Sequence, residues 1–208
     1  MRIDKLSSAP DRAGRYRLEF EDGSVLRLYR QTVEDFCLHA GLELDDIQLA
    51  KLQEAAGEMS AKMRAVRIVS ASSVSRRDLE RRLIQKGENP DQAKAAVAWM
   101  EDLDLVDDRK TAEQVVARCA AKGYGISRVK QALYEKRIPK HLWEDALADY
   151  PDQSENILEF LRMKLSDDAD NKKVKKCIDA LIRRGHSYGQ IKRCLSQLSV
   201  DTDEFPEE

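Results

Sequence analysis

SRRDLERRLIQKG, from Ser75 to Gly87, is a pattern this chain writes three times. Leu79 and Leu83 stand four apart, on one face of a helix. Lys86 and Gly87 follow, a cation in the last turn and then the residue best suited to end a helix. Fifty residues on, Val129 and Leu133 repeat the apolar pair and Lys136-Arg137 takes the place of Lys-Gly. Forty-eight residues further, Cys177, Leu181 and Arg184-Gly185 repeat it again. The match continues without a gap. Ala93, Trp143 and Ile191 lie six residues beyond the turn, Val97, Leu147 and Leu195 ten, and Met100, Tyr150 and Leu198 thirteen. Spacings of four and three place a second amphipathic helix in each copy. A period near fifty with two or three helices per copy marks a helical repeat protein.

Composition agrees with a soluble helical chain. Of 208 residues, 42% are hydrophobic and 36% charged, outside the range of disordered chains. No apolar run approaches the ~20 residues of a membrane span. The first residues hold no hydrophobic signal region. These features predict a cytoplasmic protein without membrane contact. Cys37, Cys119, Cys177 and Cys194 show no CxxC spacing, and buried thiols in a reducing compartment are the expectation.

The net charge of −2 hides an asymmetry. Lys172, Lys173, Lys175, Lys176, Arg183, Arg184, Lys192 and Arg193 crowd residues 171–198 against a single acid, Asp179. The closing DTDEFPEE holds five acids and no base. A basic helical unit beside an acidic tail points to an anionic partner, with the tail as a competitor for that surface. A solvated helix face with a solubilising terminus is the plain alternative.

The expected organisation follows the chain. Residues 1–59 form an N-terminal β-hairpin with short helices: RYRLEF (Arg15 to Phe20) and VLRLY (Val25 to Tyr29) alternate across Asp22-Gly23 turn chemistry, and Met1 to Leu6 offers a third strand. Such a hairpin is marginal alone and needs helices to pack on. Val33, Phe36, Cys37 and Ala40 suggest a helix ended by Gly41, followed by helices over 44–54 and 60–69. Repeat 1 occupies 60–123, repeat 2 124–168, and a truncated repeat 3 169–200, whose third helix is missing; the acidic tail is 201–208. Ser75 and Asp78 resemble a capping box. Asn89-Pro90 starts a second helix sharply. Asp107-Asp108 opens a third, Ile138-Pro139 restarts the chain, and Ser154 caps another helix. The fold class is therefore mainly α: elongated tandem helical repeats with a small N-terminal β region.

No residue set carries catalysis. His39, His141 and His186 stand far apart and none pairs at metal-ligand spacing. Neither P-loop, GxSxG nor HExxH occurs. Gly123-Tyr124-Gly125 follows a helix and reads as a stop. Neither enzyme activity nor a metal or cofactor is expected. The informative residues are basic: Arg76, Arg77, Arg81 and Arg82 in the first helix of repeat 1, Arg128 and Lys130 in that of repeat 2, and Lys172, Lys173, Lys176, Arg183 and Arg184 in repeat 3. Stacked repeats would align them into a discontinuous basic stripe able to touch phosphates or an acidic groove. Aromatics are 6% of the chain, few for a stacking platform. Tyr124 and Tyr188 are the secondary candidates, whereas core packing accounts better for Trp99, Trp143 and Tyr150.

The runs SRRDLERRLIQKG, LVDDRKTA (Leu105 to Ala112) and KGYGISRVKQALYEKRI (Lys122 to Ile138) resemble the RecX family, bacterial regulators of the recombinase RecA. That family shows S-x-x-E-L-x-x-x-L-x-x-K-G, a D-D-x-x-[FY]-A segment, and K-G-x-G-x-x-R-I-x-x-E-L-x-x-K-G-I. The resemblance covers about residues 60–198. Ser72 and Val74 stand where the family often has arginine, Thr111 replaces an aromatic, Ala132 a glutamate and Arg137 a glycine.

The resemblance implies tandem three-helix repeats, curved and elongated. It implies a monomer that binds the RecA filament on single-stranded DNA and limits its extension, ATP hydrolysis and strand exchange. DNA contact would be weak or made through RecA. The setting would be homologous recombination, DNA repair and the SOS response, with no catalysis by the protein itself. Two other readings remain open: a stand-alone DNA-binding protein with helix-turn-helix-like repeats, which the net charge disfavours, and a helical adaptor for another protein.

Overall fold

The Asp22-Gly23 turn closes as its chemistry requires. Gly23 adopts φ +80°, the left-handed conformation a side chain resists. β2 (Arg15–Phe20) and β3 (Val25–Tyr29) then pair antiparallel from Arg15↔Tyr29 to Glu19↔Val25, and β1 (Ile3–Leu6) adds to the free edge of β2. Alternation sends Leu18, Phe20 and Leu28 to one face with Ile3. This is a computed structural model, and it describes residues 1–165 and 171–198. The acidic tail expected at 201–208 lies outside the described residues, as do 166–170 and 199–200.

The helices after the sheet differ from expectation. α1 (Arg30–Asp35) stops before Phe36. Cys37 takes φ +48° and is exposed, while Leu38 turns inward in its place. The helices expected over 44–54 and 60–69 are one helix, α2 (Asp46–Ala71). Asp45 and Gln48 close a reciprocal capping box at its start. Gly57 falls in the gap between those two expected helices, and a glycine costs a helix about 1 kcal/mol relative to Ala. Here the space a Cβ would fill is taken by the Gln92 amide, 2.4 Å away.

α2 is long because it serves two cores. Leu52 and Ala56 pack under the sheet. Ala61, Ala65 and Ile68 pack with α3 (Arg76–Gln85) and α4 (Pro90–Asp102) through Leu79, Leu83, Ala93, Val97 and Met100. Each fully buried Leu here stabilises by roughly 1.5–3 kcal/mol. Two arginines in the second half of α2 fasten it to its surroundings. Arg67 donates to the Ala13 carbonyl at 2.6 Å and to the Tyr29 hydroxyl at 3.0 Å. Arg64 pairs with buried Glu88 at 2.6 Å and donates to the Lys86 carbonyl at 2.8 Å.

The chain divides into two compact units, 1–107 and 108–208. In the second, α5 (Asp108–Ala121) packs with α6 (Ile126–Glu135) and α7 (Trp143–Leu147) around Val116, Cys119, Val129 and Leu133. α8 (Ser154–Lys164) packs with α9 (Asn171–Arg183) and α10 (Tyr188–Gln197) around Ile157, Leu161, Leu181 and Ile191. The packing phase is thus shifted from the expected repeat bounds. α5, expected to close repeat 1, shares a core with α6 and α7. Repeat 3, expected to lack a helix, has its third helix in front of it, as α8. A repeated pattern fixes the period of a chain but not where each core closes.

The repeat itself is written in the backbone. Gly87, Arg137 and Gly185 have φ of +90°, +57° and +90°. In each copy the amide at that position donates three residues back: to Ile84, Tyr134 or Ile182. The next amide donates five residues back, to Leu83, Leu133 or Leu181. This is one Schellman helix end in three copies.

Candidate nucleic-acid interface

The basic residues predicted as contacts fall into two groups. In α3 most are already engaged. Asp78 is 2% exposed and holds Arg81 at 2.7 Å and Arg82 at 2.8 Å. Ser75 accepts from the Asp78 amide at 3.2 Å, so only half of the expected capping box forms. The Asp78 carboxylate turns forward to the arginines instead of back to the cap. Arg76 reaches Glu101 at 2.9 Å. Arg77 is exposed and, among the described residues, has no acid within pairing distance.

The 108–208 unit brings the other group together. Two turns interlock there: Lys122–Gly125, between α5 and α6, and Arg183–His186, between α9 and α10. Gly125 donates to the Arg184 carbonyl at 2.9 Å, and Ser127 donates to the Gly185 carbonyl at 3.2 Å. Carbonyls of the turn after α9 thereby satisfy first amides of α6, which has no side-chain cap. The backbones meet too closely for side chains. A Cβ on Gly125 would lie 2.1 Å from the Gly185 oxygen, and one on Gly185 2.3 Å from the Arg128 nitrogen.

His186 is buried beneath this junction. Its Nε2 donates to the Gly123 carbonyl at 3.1 Å, and its buried Nδ1 has no protein partner. Burial depresses its pKa below the ordinary 6.5, partly countered by the Gly123 hydrogen bond. The Tyr150 hydroxyl donates to the Tyr124 carbonyl at 2.5 Å, and burial, with the Cys119 thiol nearby, pushes it up to about 12. Trp143 donates to the Ile138 carbonyl at 3.0 Å. These aromatics pack, as expected of them.

Above the junction lies an open cleft of about 640 Å³, lined by Lys122, Tyr124, Arg128, Ala180, Arg183 and Arg184. Four predicted residues thus converge: Arg128, Arg183, Arg184 and Tyr124. Lys122 joins them; sequence reasoning passed over it because a lysine before glycine reads as a helix end. Arg128 pairs loosely with Glu135 at 3.4 Å. Arg184 lies over the Phe160 ring, 4.6 Å from its centre, which orients the guanidinium without neutralising it. Among the described residues, Lys122 and Arg183 have no acid within pairing distance. Lys130, Lys172, Lys173 and Lys176 are exposed and do not line the cleft. Tyr188 is half-buried against the α8–α10 core and does not line the cleft.

A second feature recurs with the repeat. Ile84, Tyr134 and Ile182 hold equivalent positions and are 40%, 71% and 47% exposed. Each follows directly on a core leucine, so it falls off the buried face. An apolar residue just after the second core position was the sequence signal.

Among the described residues no group of three or more His, Cys, Asp or Glu could hold a metal ion. No described helix is long and apolar enough to cross a membrane.

Tandem helical units, with a basic cleft where two of their turns interlock, define a helical repeat protein. The family model "RecX, second three-helix domain" matches residues 107–147, which coincides with α5–α7. The regulatory protein RecX of Streptococcus gordonii is 25% identical over 197 residues, covering 93% of this chain and 76% of that protein. RecX of Xanthomonas axonopodis pv. citri is 30% identical over 138 residues, covering 65% and 85%. The crystal structure of RecX from Lactobacillus salivarius superposes with a TM-score of 0.62 at 25% identity, covering 70% of this chain and 98% of that one. Another RecX crystal structure, 22% identical, shares the fold with a TM-score of 0.62 over 92% of this chain. The chain belongs to the RecX family of regulatory proteins.

Proposed function

We propose that this protein modulates a RecA recombinase, binding its filament on single-stranded DNA and limiting filament extension, ATP hydrolysis and strand exchange. It would act in the cytoplasm as a monomer. Membership of the RecX family carries the reading. It is supported by helical repeats that each expose an apolar residue at the equivalent position. Ile84, Tyr134 and Ile182 are the apolar anchors of this contact. Arg77, Lys130, Lys172, Lys173 and Lys176 are exposed cations of the same three helices. Several weak, repeated contacts suit a polymeric partner, because each raises the effective concentration of the next.

Co-sedimentation tests it. RecA assembled on oligothymidine with a non-hydrolysable ATP analogue carries the protein to the pellet, and Tyr134→Ala weakens that recovery. Protein left in the supernatant at saturating filament contradicts the reading. Equal recovery on DNA without RecA favours the stand-alone DNA binder.

A further inference from the structure

We infer that the cleft over the interlocked turns is a phosphodiester site that holds single-stranded nucleic acid directly, with Tyr124 as the surface for an unpaired base. This deepens the filament reading, since it assigns the nucleic-acid contact to one place on the chain. It rests on observations inside the 108–208 unit alone.

The argument is electrostatic first. Lys122, Arg128, Arg183 and Arg184 line one cleft, and no carboxylate lines it with them. Gathering like charges costs free energy unless an anion answers them. The usual answer in this chain is an acid, as Asp78 answers Arg81 and Arg82. Here Lys122 and Arg183 have none among the described residues, and Arg184 is held by the Phe160 ring.

Geometry then selects the anion. The Arg184 and Gly185 carbonyls, just after α9, occupy first amides of α6, so side chains rather than a helix dipole must bind it. Guanidinium forks match phosphate oxygens in pairs. The cleft's volume of about 640 Å³ suits a ligand of nucleotide size, not the width of a duplex. Tyr124, half-buried and fixed through its carbonyl to Tyr150, shares the lining. A tyrosine beside phosphate-binding cations is how a base is stacked without sequence preference.

The rigidity of the junction is part of the site. The two turns are joined by backbone hydrogen bonds and a close glycine approach, so the cations on α6 and on α9 are held in fixed relation. Binding then orders only their side-chain ends.

The test uses the full chain and no RecA, so its outcome is separate from that of the filament reading. Binding of a fluorescein-labelled oligothymidine is measured by anisotropy across a salt series. Lys122→Glu with Arg183→Glu should lower affinity at least tenfold. It should also reduce the salt slope by about 1.4, at about 0.7 per lost single-strand phosphate contact. Lys164→Glu with Lys175→Glu makes the same charge change elsewhere in the 108–208 unit, at exposed residues outside the cleft, and should cost less than threefold. Tyr124→Leu should cost about fivefold or more. Circular dichroism checks folding, and Lys122→Gln with Arg183→Gln serves if the reversal unfolds. Equal losses in the two charge pairs, or no loss in either, overturn the site. An unchanged Tyr124→Leu overturns the assignment to single strands. Displacement of the oligonucleotide by equimolar inorganic phosphate or ATP overturns the assignment to a phosphodiester.

Discussion

Gly125 and Arg184 are joined main chain to main chain: the amide of the first donates to the carbonyl of the second at 2.9 Å. Through this bond the end of α9 caps the start of α6, and the basic cleft sits above it.

Gly87 and Gly185 share φ +90°, yet a Cβ at 87 meets nothing within 4 Å, whereas one at 185 meets Arg128. Gly87→Ala should therefore cost about 0.5–1 kcal/mol, the left-handed strain less the gain from a stiffer unfolded chain. Gly185→Ala should cost about 3 kcal/mol or more, because the Arg128 backbone must move and two capping hydrogen bonds weaken. Urea unfolding followed by tryptophan fluorescence separates them, with Trp99 reporting on 1–107 in a W143F background and Trp143 on 108–208 in a W99F background. Equal costs would contradict the close approach.

Arg137 holds φ +57° where its two counterparts are glycine. Arg137→Gly removes about 1–2 kcal/mol of left-handed strain at a smaller entropic cost. It should stabilise the 108–208 unit by about 0.5–1 kcal/mol, read from the Trp143 transition.

His186 gives the junction a pH dependence. Its folded pKa lies below the unfolded value of 6.5, so the unfolded chain binds the proton more readily. The junction's stability is complete above about pH 6.5 and is lost as pH falls through the folded pKa. His186→Gln keeps an amide donor for Gly123 and should flatten this dependence. Urea midpoints at pH 7.5 and 5.5 measure it.

Cys37 is exposed, while Cys119, Cys177 and Cys194 are buried and burial raises the pKa of each. Ellman's reagent should titrate Cys37 promptly in the native protein, and all four thiols in urea. Cys37→Ser should abolish the fast phase.

Asp78 makes Arg81 and Arg82 internal partners. Asp78→Ala should destabilise the 1–107 unit by about 1–3 kcal/mol in the Trp99 transition. Arg81→Ala should act on stability, and Arg77→Ala on partner binding alone.

Much of this architecture was legible because it rests on local rules. The hairpin followed from alternation around Asp22-Gly23, and the three helix ends from the offset between an apolar pair and its turn. Arg137, which departs from the family's glycine, proved to hold the same left-handed backbone as Gly87 and Gly185. What escaped was tertiary. Gly57 looks like a helix break until Gln92 is seen against it. Cys37 fits an apolar face until α1 ends two residues before it. Local spacing cannot say that α5 packs with the helices after it. Nor can it say that Arg81 and Arg82 are committed to an acid three and four residues away while Arg183 is not. Lys122 and His186 gain their roles only because two turns sixty residues apart in sequence interlock.

The most direct test of the central claim is the DNA-dependent ATPase of the cognate RecA on single-stranded DNA as this protein is titrated in. Inhibition at substoichiometric protein, lessened by Lys122→Glu with Arg183→Glu, is the predicted result. A rate unchanged at saturating protein would contradict the proposed action on the filament.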